Sequence, residues 1–170
     1  EKDLGNGGYG IALVTTAEGV YIGGDKEEHG NLISGNDKGG IYFSNGFAES
    51  RSLVSNNGIG IDISGKKAIA NIGDGIEITR GSSYNKISKN MISGNFYNGI
   101  RITYDPRFPD RIAEYNQIEN NVIGASSPEE SGLGNLSNGI FIDSCSNNII
   151  GGDTWKQGNV ISGNGENGIL

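Results

Sequence analysis

The sequence predicts an all-β solenoid of about five coils, each made of three short strands, with a sixth coil begun. Three observations predict it. The segment Asn31-Leu32-Ile33-Ser34-Gly35-Asn36 returns as Asn90-Met91-Ile92-Ser93-Gly94-Asn95 and as Asn159-Val160-Ile161-Ser162-Gly163-Asn164, with weaker copies at Asn57-Gly58-Ile59-Gly60 and Asn121-Val122-Ile123-Gly124. A Gly-Ile segment recurs at Gly10-Ile11, Gly40-Ile41, Gly75-Ile76, Gly99-Ile100, Gly139-Ile140 and Gly168-Ile169. A middle segment lies between the two, at Val20-Tyr21-Ile22, Leu53-Val54, Asn85-Lys86-Ile87, Asn116-Gln117-Ile118 and Asn148-Ile149-Ile150. The order never changes, and a repeat of this kind decides the architecture before any single residue is read.

Each segment reads as a strand because apolar and variable residues alternate, the period of a half-buried strand. Successive Gly-Ile starts are 24 to 40 residues apart, the period range of solenoids. Such short strands bury no face alone. Stacked on its copy at ~4.8 Å, each gains ladder hydrogen bonds along its edges. The expected stacks are Ile11, Ile41, Ile76, Ile100 and Ile140, and Ile33, Ile59, Ile92, Ile123 and Ile161. Asn31, Asn57, Asn90, Asn121 and Asn159 then occupy one turn of successive coils, where side-chain amides pair up and down the column and cap the bend. Glycine at the corners is expected to supply backbone angles that other residues avoid. A longer period also shows: Ser55–Asn71 aligns without a gap on Glu119–Asn135, which suggests a two-coil unit of about 64 residues.

Composition fits many strands and many tight turns. Of 170 residues 30 are Gly and 34% are hydrophobic, and the apolar residues stand in register rather than scattered as in a disordered chain. The net charge of −7 disfavours nucleic acid and anionic membrane surfaces as partners, since both are gripped by clustered Lys and Arg. No apolar run approaches membrane-spanning length, so no membrane insertion is expected. The single Cys145 excludes an intramolecular disulfide and a cysteine metal cluster, and is expected to be a small, buried or half-buried residue in a strand-to-turn segment.

The segments Gly158-Asn159-Val160-Ile161-Ser162-Gly163-Asn164, Ile150-Gly151-Gly152 and Asn138-Gly139-Ile140 resemble the right-handed parallel β-helix repeats of the pectin-lyase-like superfamily. The resemblance covers roughly residues 4–170 and implies a right-handed parallel β-helix. It implies less about activity, because polysaccharide lyases, galacturonases, sugar epimerases, phage tailspikes and noncatalytic surface proteins share that fold. The Asn-Thr-Asp, paired Asp, Gly-His-Gly and Arg-Ile-Lys segments of galacturonases are missing. The single His29 lies in the polar loop Gly24–Gly30 and is expected to be solvated. Tyr104-Asp105-Pro106-Arg107 departs from the Tyr-x-x-Asp-Pro-His stretch of alginate epimerases in spacing, and Arg107 stands where His is expected.

Candidate binding residues are the outward positions of the Gly-Ile strands. Ala12, Tyr42, Glu77, Arg101 and Phe141 form one file, and Val14, Ser44, Thr79, Thr103 and Asp143 the next. Tyr42 and Phe141 offer aromatic faces to a sugar ring, while Glu77, Arg101 and Asp143 offer bonds to its hydroxyls or carboxylate. Stacking also places Glu77 beside Arg101, where an ion pair on a solvated face is expected. The long connections Ser44–Arg51 and Tyr104–Tyr115 leave this face on either side of the third coil and could wall a cleft over Glu77. The second holds Tyr104, Asp105, Arg107, Asp110 and Arg111, and internal ion pairs are expected in it. Catalysis by Glu77, Arg101 or Asp143 is only weakly indicated: Glu77 and Asp143, two coils apart at ~9–10 Å, lie near or beyond the limit of an inverting carboxylate pair. Calcium would need converging carboxylates, and neither Asp105/Asp110 nor Asp25/Glu27/Glu28 has a recognised ligand spacing, so no metal or cofactor is expected. Trp155 is expected to pack over the coil.

Neither end carries an amphipathic helix or polar capping run, so the ends are expected to be uncapped. Residues 1–170 then read as a single β-helix domain within a longer protein, adjoining further coils or a capping segment. The expected function is a noncatalytic structural or binding module of an extracellular or cell-surface protein that contacts polysaccharide. The alternative is a polysaccharide-active lyase, hydrolase or epimerase using the Gly-Ile face.

Overall fold

The protein is described by a computed structural model that covers residues 5–46, 49–124 and 133–170. The first coil holds β1 (Tyr9–Val14), β2 (Tyr21–Gly23) and β3 (Leu32–Ile33). The second holds β4 (Gly39–Ser44), β5 (Leu53–Ser55) and β6 (Gly58–Ile59), and the third β7 (Ile76–Thr79), β8 (Lys86–Ser88) and β9 (Met91–Ile92). The fourth holds β10 (Ile100–Thr103), β11 (Gln117–Glu119) and β12 (Val122–Gly124), and the fifth β13 (Ile140–Asp143), β14 (Ile149–Ile150) and β15 (Val160–Ser162). Every third strand pairs, giving three parallel five-stranded sheets: β1-β4-β7-β10-β13, β2-β5-β8-β11-β14 and β3-β6-β9-β12-β15. The chain is an all-β parallel β-helix solenoid. Ile169 lies alongside Ile140 in a further parallel bridge, so a sixth coil begins.

The register is the one the repeat predicts. Ile11, Ile41, Ile76, Ile100 and Ile140 are successive partners on the first sheet. On the third sheet Ile33, Ile59, Ile92, Ile123 and Ile161 follow one another. The second sheet contributes Ile22, Val54, Ile87, Ile118 and Ile150. Two residues beyond the first stack a fourth one runs, Leu13, Phe43, Ile78, Ile102 and Ile142, and all of these belong to one apolar core. β-Branched side chains suit this pleated interior.

The asparagine column forms as expected. Asn31, Asn57, Asn90, Asn121 and Asn159 are joined Nδ2 to Oδ1 at 2.9, 3.0, 3.0 and 3.0 Å. Each Oδ1 also accepts the backbone N–H of the preceding Asn in the column. The amides of Asn57, Asn90 and Asn121 donate to the carbonyls of Ser55, Ser88 and Glu119, two residues back, which caps the bend.

Three further ladders accompany this one. Asn6, Asn36, Asn71, Asn95, Asn135 and Asn164 run through the turn between the third and first sheets, with amide contacts of 2.7–2.9 Å. Ser52, Asn85, Asn116 and Asn148 line the turn between the first and second sheets. Asp74, Asn98, Asn138 and Asn167 form the last, immediately before the glycine of the last four Gly-Ile segments. The two-coil unit of about 64 residues is therefore not the structural repeat. Asn6, Asn71 and Asn135 are members of a ladder that recurs in every coil, and the resemblance between alternate coils is a matter of the excursions they carry. One of these is Ile61–Ala70, where Ile61 bridges Ala68; its counterpart at 125–132 lies outside the described residues.

The glycines have two distinct roles. Gly35, Gly60, Gly94, Gly124 and Gly163, after the third-sheet strands, have φ between 67° and 93°, the left-handed region expected of corners. The glycines of the Gly-Ile segments do not. A Cβ on Gly99 would lie 2.6 Å from Ile123 Cγ2, 2.7 Å from the Gly139 carbonyl and 2.9 Å from Asn135 Nδ2. Gly75 and Gly139 are wedged the same way against Ile92 and Ile161. This motif is glycine because a ladder amide, an isoleucine and the next coil's backbone converge on it.

Two outcomes follow for stability. Asn90→Ala removes the acceptor of two donors from Asn57 and the donor to Asn121 and should destabilise the fold by about 3 kcal/mol, given ~1–3 kcal/mol per buried polar group left unsatisfied. Asn159→Ala, at the partly exposed last rung, should cost less than half as much in the same urea titration; equal costs would refute a cooperative buried ladder. Gly99→Ala should cost ~1–3 kcal/mol through overpacking, again measured by denaturant unfolding.

Candidate functional site

The outward file of the first sheet is set by strand register. Ala12 pairs with Tyr42, Tyr42 with Glu77, Glu77 with Arg101 and Arg101 with Phe141. The four larger side chains of the file, Tyr42, Glu77, Arg101 and Phe141, are half-buried. The next row is mostly covered: Ser44, Thr79 and Thr103 are buried, whereas Val14 and Asp143 at its ends are exposed.

Tyr9 covers part of the first file, over Tyr42 and Glu77, and was not anticipated. It occupies the position before the Gly-Ile glycine, where Asp74, Asn98, Asn138 and Asn167 stand in later coils, and its strand partner is Gly39. With no side chain at Gly39, the Tyr9 ring crosses the second coil; a Cβ there would lie 3.2 Å from ring atoms of Tyr9. The ring stacks on Tyr42 with centres 4.6 Å apart and planes 9° from parallel. Its hydroxyl then donates to Glu77 Oε2 at 3.2 Å. Burial, followed by the Glu77 charge, pushes the Tyr9 phenol well above its usual range.

Arg101 does not form the ion pair expected with Glu77. Its Nη1 lies 3.8 Å from Asp74 Oδ2. Asp74 is a buried carboxylate that terminates the fourth ladder: its Oδ1 accepts both the backbone N–H and the side-chain amide of Asn98, at 2.9 and 2.8 Å. Burial raises the proton affinity of Asp74. Glu77 is raised too, by burial first and then by the Asp74 charge, with Arg101 and the Tyr9 hydroxyl opposing. The centre of the file is thus two carboxyl groups of elevated proton affinity, one guanidinium and one phenol.

The loop residues are committed to one another. Asp105 accepts Arg80 Nε at 2.6 Å and a forked pair from Arg107 at 2.9 and 2.8 Å. The Arg107 hydrogen bond, and then that of Arg80, hold the Asp105 carboxyl far below the usual range. Arg80 and Arg111 also place their guanidinium carbons 4.9 and 4.8 Å from the centre of the Phe108 ring. This ties the loop to the third coil, and Tyr104 is joined to the fifth by its backbone N–H to Asp143 at 3.2 Å.

The cleft sketched over Glu77 is displaced. The two long connections do wall a groove, of about 600 Å³, but its lining includes Glu49, Tyr84, Arg111, Glu114 and Tyr115 and not Glu77. It lies around the corner towards the second sheet, where Tyr84 and Tyr115 stack with centres 4.9 Å apart. Residues 47–48 of the first connection lie outside the described residues. Asp143 is also further from Glu77 than coil counting suggests. Glu77 aligns with Phe141 through Arg101, while Asp143 aligns with Thr79 through Thr103; two coils and two residues together separate the Cα positions by ~12 Å.

Trp155 does not pack over the coil: it is 86% exposed in the 3-10 turn Trp155–Gln157, with the Lys156 ammonium 5.8 Å from its ring. Gln157 in the same turn bonds Thr154 and Glu119. His29 sits in the polar loop against Asp25 at 3.0 Å. Cys145 is half-buried and burial raises its thiol. Among the described residues no three His, Cys, Asp or Glu side chains converge as metal ligands, and no helix is long and apolar enough to cross a membrane.

The carboxyl cluster has a pH consequence. A carboxyl bound more tightly to its proton in the fold than in the unfolded chain contributes its full stability below the ordinary carboxyl value, near 3.8 for Asp, and loses it as pH rises through the folded value. Asp74→Asn keeps the Asn98 acceptor and removes the buried charge. Its unfolding free energy should gain on the wild type as pH rises from about 3.8 towards neutrality; a gap constant across that range in urea titrations would count against a strained Asp74.

No family model matches this chain, and no match is found among curated proteins or solved structures.

Proposed function

We propose that this β-helix, of the pectin-lyase-like kind, is a noncatalytic binding module of an extracellular or cell-surface protein, and that the outer face of its first sheet contacts polysaccharide. The observation that carries this reading is the in-register file Tyr42, Glu77, Arg101 and Phe141, one side chain per coil. A polymer laid along the axis meets these groups at ~4.8 Å intervals. Aromatic rings at Tyr42 and Phe141 suit the apolar faces of sugar rings, and the groups between them suit hydroxyl and carboxylate substituents. Tyr104 and Arg107 supply the rim of the file, Asp105 is buried and bonded to Arg107 and Arg80, and Asp143 stands in the adjacent row at the fifth coil. The acidic net charge of −7 argues for steering by local groups, not for a broad anionic-ligand field.

One observation favours the second reading, a lyase, hydrolase or epimerase acting on the same polymer. Glu77 is half-buried beside Asp74, Arg101 and the Tyr9 hydroxyl and binds its proton more tightly than an ordinary carboxyl, a property common among groups that transfer protons. Against it, Asp74 is held by Asn98 and Arg101, and Asp143 has its Cα ~12 Å from that of Glu77, beyond an inverting carboxylate pair.

A glycan array paired with an activity screen on uronate polymers separates the two. Binding without product formation is expected, weakened at least tenfold by Arg101→Ala and by Tyr42→Ala. Product formation that disappears in Glu77→Ala would replace the binding reading with the enzymatic one.

A further inference from the structure

A second pocket, of about 270 Å³, opens at the first-coil end of the same face. It is a little smaller than the ~300–1,000 Å³ of sites for larger ligands, so it admits one ring and not a run of polymer. Val14 and Tyr42 form its apolar side, and the loop from the fourth coil brings Phe108 to it. Two guanidinium groups, Arg80 and Arg111, also line it, and among the described residues no carboxylate does. Arg80 is the more telling of the two. Its side chain is only 26% exposed, and its Nε donates to Asp105 Oδ2 at 2.6 Å. Among the described residues nothing accepts from its Nη1 and Nη2. A largely buried guanidinium with both terminal nitrogens unmet by protein calls for an acceptor, and an oxyanion takes two of its donors at once while balancing its charge.

The carboxyls nearby do not cancel this. Asp105 is bonded to Arg107 as well as to Arg80, so its one charge is divided between two arginines. Glu49, Asp110 and Glu114 line the larger groove around the corner and not this pocket. Glu77, also within electrostatic reach of Arg80, accepts from the Tyr9 hydroxyl and does not line it either.

We propose that this pocket is a subsite for one anionic sugar ring of the polysaccharide, whose carboxylate or sulfate ester accepts from the terminal nitrogens of Arg80. This rests on the polysaccharide reading and narrows it to acidic polymers. Arg111 adds a second positive charge to the lining, and the rings of Tyr42 and Phe108 suit the C–H face of a pyranose. A neutral ring meets the same walls, but its hydroxyls leave the charge of Arg80 without a counter-charge beyond its share of Asp105. The pocket shares Tyr42 with the file, so a ring held here continues from a polymer on the sheet.

The test titrates glucuronate, glucose 6-sulfate and glucose against the full chain by ligand-observed NMR, beside a glycan array that holds acidic and neutral polymers. At least one of the two anionic sugars is expected to bind at least tenfold more tightly than glucose, and which one does so names the anionic group. Arg80→Gln is expected to abolish that preference. Thr16 lines the pocket from an exposed position, so Thr16→Glu is expected to lower the anion affinity tenfold or more by repulsion, while Thr16→Gln, of the same size, leaves it unchanged. The Thr16 pair decides the matter if Arg80→Gln does not fold. Glucose binding as well as the anionic sugars, Thr16→Glu and Thr16→Gln behaving alike, or array binding confined to neutral polymers overturns the subsite and spares the polysaccharide reading. Absence of monosaccharide binding with polymer binding intact does the same. Anionic-sugar binding without any polymer binding overturns the polysaccharide reading instead, and no binding in either assay overturns both.

Discussion

The corner amide ladder is the interaction on which this fold depends. Strands of two to six residues pair only part of the backbone, and the corners between them expose N–H groups that no strand partner reaches. A stacked asparagine meets that need because its oxygen takes two donors, the backbone and the amide of the neighbouring coil, while its nitrogen serves two or three acceptors. Aspartate accepts but cannot pass the chain on, and serine reaches only one rung, as at Ser52. The ladder in turn dictates its surroundings. The amides of Asn95, Asn135 and Asn164 lie against Gly75, Gly99 and Gly139, so the ladder joins the stacked isoleucines and the next coil's backbone in requiring glycine at the Gly-Ile segment.

Ladder polarity shapes the candidate site. Three ladders donate towards the following coil, from Asn31 to Asn57 and onwards. The fourth runs the other way, from Asn167 to Asn138 to Asn98, and ends on Asp74. A column of donors is thereby closed by a group that only accepts, which places a buried carboxylate beside the outward file. Arg101 turns to it, Glu77 loses its expected partner, and Tyr9 supplies the replacement. The electrostatics of the face thus follow from a turn rather than from the strand that carries Glu77.

The strand register was readable from the sequence because the inward isoleucines repeat at a fixed place relative to Asn and Gly, and a one-residue slip would turn every one of them outward. That is why the file Tyr42, Glu77, Arg101 and Phe141 could be named. The ladder of Asn98, Asn138 and Asn167 was equally visible, each just before its glycine, but Tyr9 and Asp74 break the pattern in the first and third coils. What Arg101 and Tyr9 touch depends on side-chain reach across coils, and so does the way Phe108 folds back between Arg80 and Arg111. Periodicity carries no information about reach. The exposure of Trp155 has the same origin: an inserted turn lies outside the repeat that gives other residues their direction.

The parallel arrangement of these bonds also has a mechanical side. Strand pairing and the four ladders all run from coil to coil, so tension along the axis is borne at each junction by three sets of backbone bonds and the corner amides together. Such a junction yields only when its bonds fail as a group, and the loop at Tyr104–Tyr115 adds its own tie to the third coil through Arg80 and Asp105. A chain built this way can lengthen its connections freely without weakening the direction in which it is pulled.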